Sequence, residues 1–80
     1  MKIVLIGAGS VVFAKTLIGD ILTFPELQQG ALSLVDISAA RMELVAAFAR
    51  RLIREQGLPT RLEVTTDRRQ ALQGADYVIT

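Results

Sequence analysis

The 80-residue chain contains no cysteine and no histidine. Without cysteine it can form neither a disulfide framework nor a thiolate metal site, which is typical of a protein in the reducing cytoplasm. Without histidine it lacks the commonest general base and the commonest metal ligand of proteins. Chemistry that depends on either residue type must therefore be supplied from outside these residues.

An excess of one charge sign and a long apolar run are also missing. Nine basic and eight acidic residues are mixed along the chain, for a formal net charge of +1, so there is no basic field for nucleic acid. The apolar run at residues 3–6 ends at Gly7, well short of a signal-peptide core of roughly 7–15 residues or a membrane span of about 20. We expect a soluble cytoplasmic protein that binds neither nucleic acid nor membranes.

The apolar pattern predicts alternating strands and helices. Strands are predicted at residues 3–6, 31–35, 62–66 and from 77 onward, the third nearer the sheet edge. A first helix is predicted at 10–24, followed by a loop or short turn at 25–30. A second helix is predicted from an N-cap at Ser38 to about 56, where Gly57 and Pro59 end it. A third is predicted from a capping box at Asp67 and Gln70 to 74.

This order, β-α-β-α-β-α-β, is that of a Rossmann-like α/β fold with a doubly wound parallel sheet. The ligand site of such a sheet lies at the carboxyl ends of its strands. A sheet of this type that stops at Thr80 would lack its second half. We expect residues 1–80 to be the amino-terminal part of a nucleotide-binding domain in a longer chain.

The stretch "IGAGSVVF" at residues 6–13 has the glycine spacing of a dinucleotide-binding fingerprint, except that Val12 stands in the place of the third glycine. Gly7 would supply the tight turn, and Gly9 would allow the close approach of a pyrophosphate. The third glycine serves helix packing, so we expect Val12 to hold the helix slightly outward, with Phe13 filling the gap.

The N–H groups around Ser10, Val11 and Val12 would then face the pyrophosphate, helped by the positive end of the helix dipole. Glycines close many strand–helix turns for backbone reasons alone, so a purely structural turn is the alternative for this motif.

Asp36 ends the second predicted strand, 36 − 12 = 24 residues beyond Val12. The usual spacing of a ribose-binding carboxylate is about 20 residues, and the longer segment at 25–30 accounts for the difference. Such a carboxylate accepts both ribose hydroxyls and would repel a 2′-phosphate, so NAD is favoured over NADP. A turn or helix-capping role is the alternative for Asp36.

Three further residues near this motif have two interpretations each. Ile37 would form an apolar wall for adenine or belong to the core. Lys15 and Arg41 could approach the cofactor, although a solvated helix face is favoured for both. Five arginines lie among polar positions and are predicted to be surface charge: Arg50, Arg51, Arg54, Arg68 and Arg69.

Three segments carry a resemblance to a known family: "KIVLIGAGSVVFAKTLIGDILTFPEL", "ALSLVDISAARME" and "GADYVIT". Together they resemble the amino-terminal part of glycoside hydrolase family 4 over nearly all of the chain. The GAGS turn, followed by phenylalanine three residues later, is similar to the α-galactosidase and α-glucosidase branch.

The resemblance implies a glycosidase that needs NAD and a divalent metal, usually manganese. In the family a hydride passes from the sugar C3 to NAD, the ketone acidifies the C2 proton, elimination releases the aglycone, water adds and the hydride returns. The family's cofactor contacts would fall at the turn and the second strand, on Gly7, Gly9, Ser10, Val11, Val12 and Asp36.

The family's metal ligands, a cysteine and a histidine, and its catalytic base would lie downstream. We therefore predict no catalytic or metal-binding residue among these 80, and no activity of these residues alone. The substrate would be a small glycoside, and we expect the full-length protein to be a homo-oligomer.

Two other functions remain compatible with the residues. One is an NAD-dependent 2-hydroxy-acid dehydrogenase of the lactate and malate type, which would produce net NADH, whereas the glycosidase would not. The other is a non-catalytic module that senses NAD.

Overall fold

A computed structural model of the chain describes residues 1–8 and 11–80. Its elements, in chain order, are β1 (Lys2–Ile6), α1 (Val11–Ile21), α2 (Pro25–Gln28), β2 (Ala31–Val35), α3 (Ala39–Gln56), β3 (Arg61–Thr65), α4 (Arg68–Leu72) and β4 (Tyr77–Ile79). In the described ranges no helix has the length and apolar character needed to cross a membrane.

The four strands form one parallel sheet in the order β3-β2-β1-β4. The chain moves outward from β1 to β2 and β3, and then crosses back to place β4 on the other side of β1. These are the first four positions of the Rossmann order 3-2-1-4-5-6. The predicted doubly wound parallel sheet is confirmed, and β3 lies at an edge as expected.

Helices cover both faces of this sheet. On one face, α1 and α3 pack on side chains of the two central strands, such as Leu5 and Leu34. On the other face Ala71 of α4 packs against Val4 and Val35. All five residues of β2 are buried, because successive side chains of a strand point to opposite faces and both faces are covered here.

The helix α1 differs from the prediction in its end and in the placement of Val12 and Phe13. It ends at Ile21 rather than at Phe24, and Pro25 opens the four-residue α2 where a loop or short turn was predicted. Val12 is 82% exposed and Phe13 is 56% exposed. The expectation that Val12 spaces the helix and Phe13 fills the gap is wrong, since α1 turns the small Ala14, 1% exposed, into the core instead.

The caps of α3 agree with the prediction. Ser38 Oγ accepts a hydrogen bond from the N–H of Arg41 at 3.3 Å. At the other end Gly57, with φ +60°, donates its N–H to the carbonyl of Arg54, and the N–H of Leu58 reaches the carbonyl of Ile53 at 2.9 Å. This pairing satisfies carbonyls that the helix end would otherwise leave without partners.

Only half of the predicted capping box at α4 forms. Asp67 Oδ1 accepts from the N–H groups of Arg69 and Gln70, at 3.0 and 3.3 Å. The N–H of Asp67 donates to Thr65 Oγ1 at 3.0 Å instead of to the side chain of Gln70. The threonine lies closer in the chain and closes a tighter local turn.

Gly30 lies where the amino-terminal ends of the strands meet. Its φ is +105°, and a Cβ there would overlap the carbonyl oxygen of Met1 and lie 2.8 Å from the Met1 nitrogen. That Met1 carbonyl accepts the N–H of Ala31 at 2.9 Å, while the carbonyl of Gly30 accepts the N–H of Arg61 at 2.8 Å. If the backbone at Met1 or at Gly30 moved away to make room for a Cβ, one of these hydrogen bonds at the start of a strand would break.

We predict that Gly30→Ala lowers the free energy of unfolding by about 2 kcal/mol or more, from backbone strain and overlap with Met1. Gly19→Ala is the matched control, because Gly19 lies in α1 and a Cβ there meets nothing within 4 Å. The control should raise stability by about 0.5–1 kcal/mol. Urea unfolding of the full-length protein measures the stability of both variants. Equal changes in Gly30→Ala and Gly19→Ala would contradict the close contact between Gly30 and Met1.

Candidate functional site

A pocket of about 780 Å³ opens at the carboxyl ends of β1, β2 and β3. This is the edge at which a doubly wound sheet binds its ligands, and the volume is in the range of small-molecule sites. The pocket is lined by Ile6, Gly7, Val35, Asp36, Ile37, Ser38, Arg41, Thr66 and Arg68.

The turn after β1 forms one wall of this pocket. Gly7 has φ +82°, a conformation that side chains disfavour, although a Cβ there would meet nothing within 4 Å. The N–H groups of Gly7 and Ala8 both donate to the carbonyl of Val35, at 2.9 and 3.1 Å. Gly7 is therefore required by the backbone turn, and its N–H is used within the fold.

Two of the six predicted cofactor residues, Gly7 and Asp36, line this one pocket. Gly9 and Ser10 lie outside the described residues. Val11 is the first residue of α1. Val12 lies in the first turn of α1 and does not line the pocket. The cofactor role of all six stays a prediction.

Asp36 is held at the pocket by a local turn. Its Oδ1 accepts the N–H of Ser38 at 2.8 Å, and the Ser38 hydroxyl in turn caps α3. The turn role weighed for Asp36 is thus present. This contact uses one of the roughly four lone-pair sites of a carboxylate, and the ribose role of Asp36 stays a prediction.

Ile37 does not belong to the core, since it is 98% exposed at the rim of the pocket. Lys15 lies elsewhere, with its Nζ 5.4 Å from the centroid of the Phe48 ring. Arg41 is exposed and also lines the pocket, and its approach to the cofactor stays a prediction.

Sequence reasoning missed Thr66 and Arg68 as pocket residues. Thr66 directly follows β3, and Arg68 opens α4 two positions later. The signal that would have indicated them is their place after a strand, because the carboxyl ends of parallel strands share one edge. Arg68 is exposed, as predicted, but it is exposed at the pocket.

The model of the family described as "Family 4 glycosyl hydrolase" matches residues 2–80. The chain belongs to this family. The α-galactosidase of Rhizobium meliloti (strain 1021) is 45% identical over 78 residues, covering 98% of this chain and 16% of that enzyme. The chain therefore spans about a sixth of the length of this relative.

Solved structures of the family have the same fold. A 6-phospho-α-glucosidase from gut microorganisms, in complex with NAD and glucose-6-phosphate, superposes with a TM-score of 0.86 at 29% identity, over 98% of this chain and 18% of that one. A second 6-phospho-α-glucosidase structure from gut microorganisms, with NAD and Mn²⁺, gives a TM-score of 0.74 at 26% identity, over 96% of this chain and 18% of that one. The predicted family and fold are confirmed.

We predict that Ser38→Ala lowers the free energy of unfolding by about 1 kcal/mol, because α3 loses the acceptor for the N–H of Arg41. Ser38→Asn keeps a capping oxygen and should restore most of the loss. Chemical denaturation of the full-length protein compares the two. If the Ser38 cap does not stabilise the fold, Ser38→Ala and the parent will unfold at the same denaturant concentration.

Proposed function

We propose that this chain is the NAD-binding part of a glycosidase that hydrolyses α-galactosides or α-glucosides. One observation carries the NAD-binding part of the proposal. The Gly7 turn and the Asp36 carboxylate line the same pocket, at the carboxyl edge of a sheet with the Rossmann strand order. The local turn at Asp36 requires an acceptor oxygen but not its charge, and ribose binding is the role that uses the charge.

The residues of the pocket fit the adenosine half of NAD. Asp36 would accept the ribose hydroxyls, and the exposed face of Ile37 would lie against the adenine ring. The pyrophosphate would bind at the start of α1, where Gly9, Ser10, Val11 and Val12 are the predicted contacts. When bound, NAD would supply a hydride acceptor that is regenerated within each turnover.

The comparisons support both the cofactor and the substrate class. The two 6-phospho-α-glucosidase structures hold NAD, and one of them also holds Mn²⁺. The relative that is 45% identical is an α-galactosidase, which favours an α-galactoside as the substrate here.

The residues of this chain do not fit the metal. The chain has neither cysteine nor histidine, and its described residues contain no group of three or more acidic side chains arranged to hold an ion. We propose that the metal ligands and the catalytic groups lie in other parts of the full-length protein. Residues 1–80 would form the first half of the NAD-binding domain of a cytoplasmic enzyme, and its homo-oligomeric state stays a prediction.

We predict that Asp36→Ala in the full-length protein weakens NAD binding by about 1–3 kcal/mol, as expected for the loss of charge-assisted hydrogen bonds. Asp20→Ala is the control, because Asp20 is an exposed carboxylate on α1 that does not line the pocket. Isothermal titration calorimetry with NAD measures both variants. Equal affinities of Asp36→Ala and the parent would refute the ribose assignment.

The reaction itself is tested with a nitrophenyl α-galactoside and the full-length protein. Release of nitrophenol should require both NAD and Mn²⁺, and no NADH should accumulate, because the hydride returns to the sugar. The 80 residues alone should be inactive. Net NADH production from a 2-hydroxy acid would favour the dehydrogenase, and NAD binding without either reaction would favour a sensing module.

A further inference from the structure

Three charged side chains line the pocket, and two of them are arginines. Arg41 lies in the first turn of α3, just after β2, and Arg68 opens α4, just after β3. The third is Asp36, at the end of β2. The charge around the expected ribose position is therefore +1 rather than −1.

Neither arginine has an ion-pair partner among residues 1–8 and 11–80. The ion pairs formed there are Lys2–Glu63, Arg50–Glu43, Arg51–Glu55 and Arg61–Glu63. Elsewhere on α3, Arg50 and Arg51 are each matched with a glutamate. No ion pair within the described part of the chain therefore uses the two guanidinium groups at the pocket.

The backbone keeps both arginines close to Asp36. The N–H of Arg41 is bonded to Ser38 Oγ, and the N–H of Ser38 is bonded to Asp36 Oδ1. On the other side Val35 pairs with Thr65 in the β2–β3 register, so β2 and β3 end at the same level. Arg68 follows the end of β3 by three residues.

We propose that Arg41 and Arg68 form a site for a ribose 2′-phosphate, and that Asp36 alone keeps this pocket selective for NAD over NADP. This inference rests on the proposed function. A guanidinium matches a phosphate with two parallel hydrogen bonds, and an arginine near the ribose is the usual device for accepting a 2′-phosphate. The Asp36 carboxylate would repel that phosphate and compete with it for the same donors.

The test is the affinity of the full-length protein for NAD and NADP, measured by calorimetry. Asp36→Ser removes the charge and keeps an oxygen that can accept the N–H of Ser38. We expect NADP to bind about tenfold more tightly than to the parent and NAD about tenfold more weakly, as for the gain and loss of charge-assisted hydrogen bonds. Asp36→Asn removes the charge at constant size and should shift the preference in the same direction.

The arginines are tested in the Asp36→Ser background. Adding Arg41→Ser or Arg68→Ser should remove most of the gain in NADP affinity and leave NAD affinity within about twofold, since NAD has no 2′-phosphate for these guanidinium groups to bind. Arg69→Ser is the matched control, because Arg69 is the exposed neighbour of Arg68 on α4 and does not line the pocket. It should leave the gain unchanged.

The outcomes separate this inference from the function on which it rests. If the parent binds NAD but neither Asp36 variant gains NADP affinity, the inference is wrong and the NAD assignment stands. A gain that survives loss of both arginines would also overturn it. Should the parent bind neither dinucleotide, the proposed function itself fails. If Asp36→Ser does not fold, as judged by circular dichroism, the NAD and NADP affinities of Asp36→Asn are compared with those of the parent instead.

Discussion

The carbonyl oxygen of Val35 holds the candidate site together. It accepts the N–H groups of both Gly7 and Ala8, so the turn that follows β1 is fixed to the last residue of β2. The turn can make this contact because Gly7 adopts φ +82°, which costs glycine little and other residues more. The next residue after Val35 is Asp36, and the glycine turn and the carboxylate are therefore brought together by one shared acceptor.

The two ends of the sheet differ in how fully they are closed. At the amino-terminal end the backbone N–H of Lys2 donates to Asp76 Oδ2 at 2.7 Å, and Lys2 Nζ donates to the carbonyl of Gln73 at 2.8 Å. Gly30 lies so close to Met1 at this end that a Cβ would not fit between them. At the carboxyl end the strands stop at a level edge, and α3 and α4 begin on either side of an open pocket. Since the crossovers of a doubly wound sheet put the starts of α1, α3 and α4 at this end, it is also the end that favours an anionic ligand.

The strands, the caps at Ser38, Gly57 and Asp67, and the sheet type could be predicted because each depends on residues close together in the chain. The exposure of Phe13 on α1 could not. A helical period places Phe13 and Ala14 only one position apart, and the tertiary contact decides which of them faces the sheet. The pocket position of Arg68 depends on the β2–β3 register, which brings together residues about thirty positions apart and is not contained in any local pattern. Ile37 was ambiguous for the same reason, because an apolar residue after a strand can face either the core or the rim.

Asp36 combines a structural and an electrostatic role that depend on different properties of the side chain. Its Oδ1 fixes the N–H of Ser38, Ser38 caps α3, and this cap sets the position of Arg41 at the pocket. The acceptor function requires an oxygen but no charge, whereas repulsion of a phosphate requires the charge. The carboxylate that would exclude a 2′-phosphate thus also orders an arginine that could bind one. A neutral acceptor at position 36 would keep that order and remove the repulsion, so the selectivity of the pocket can change without a change in its fold.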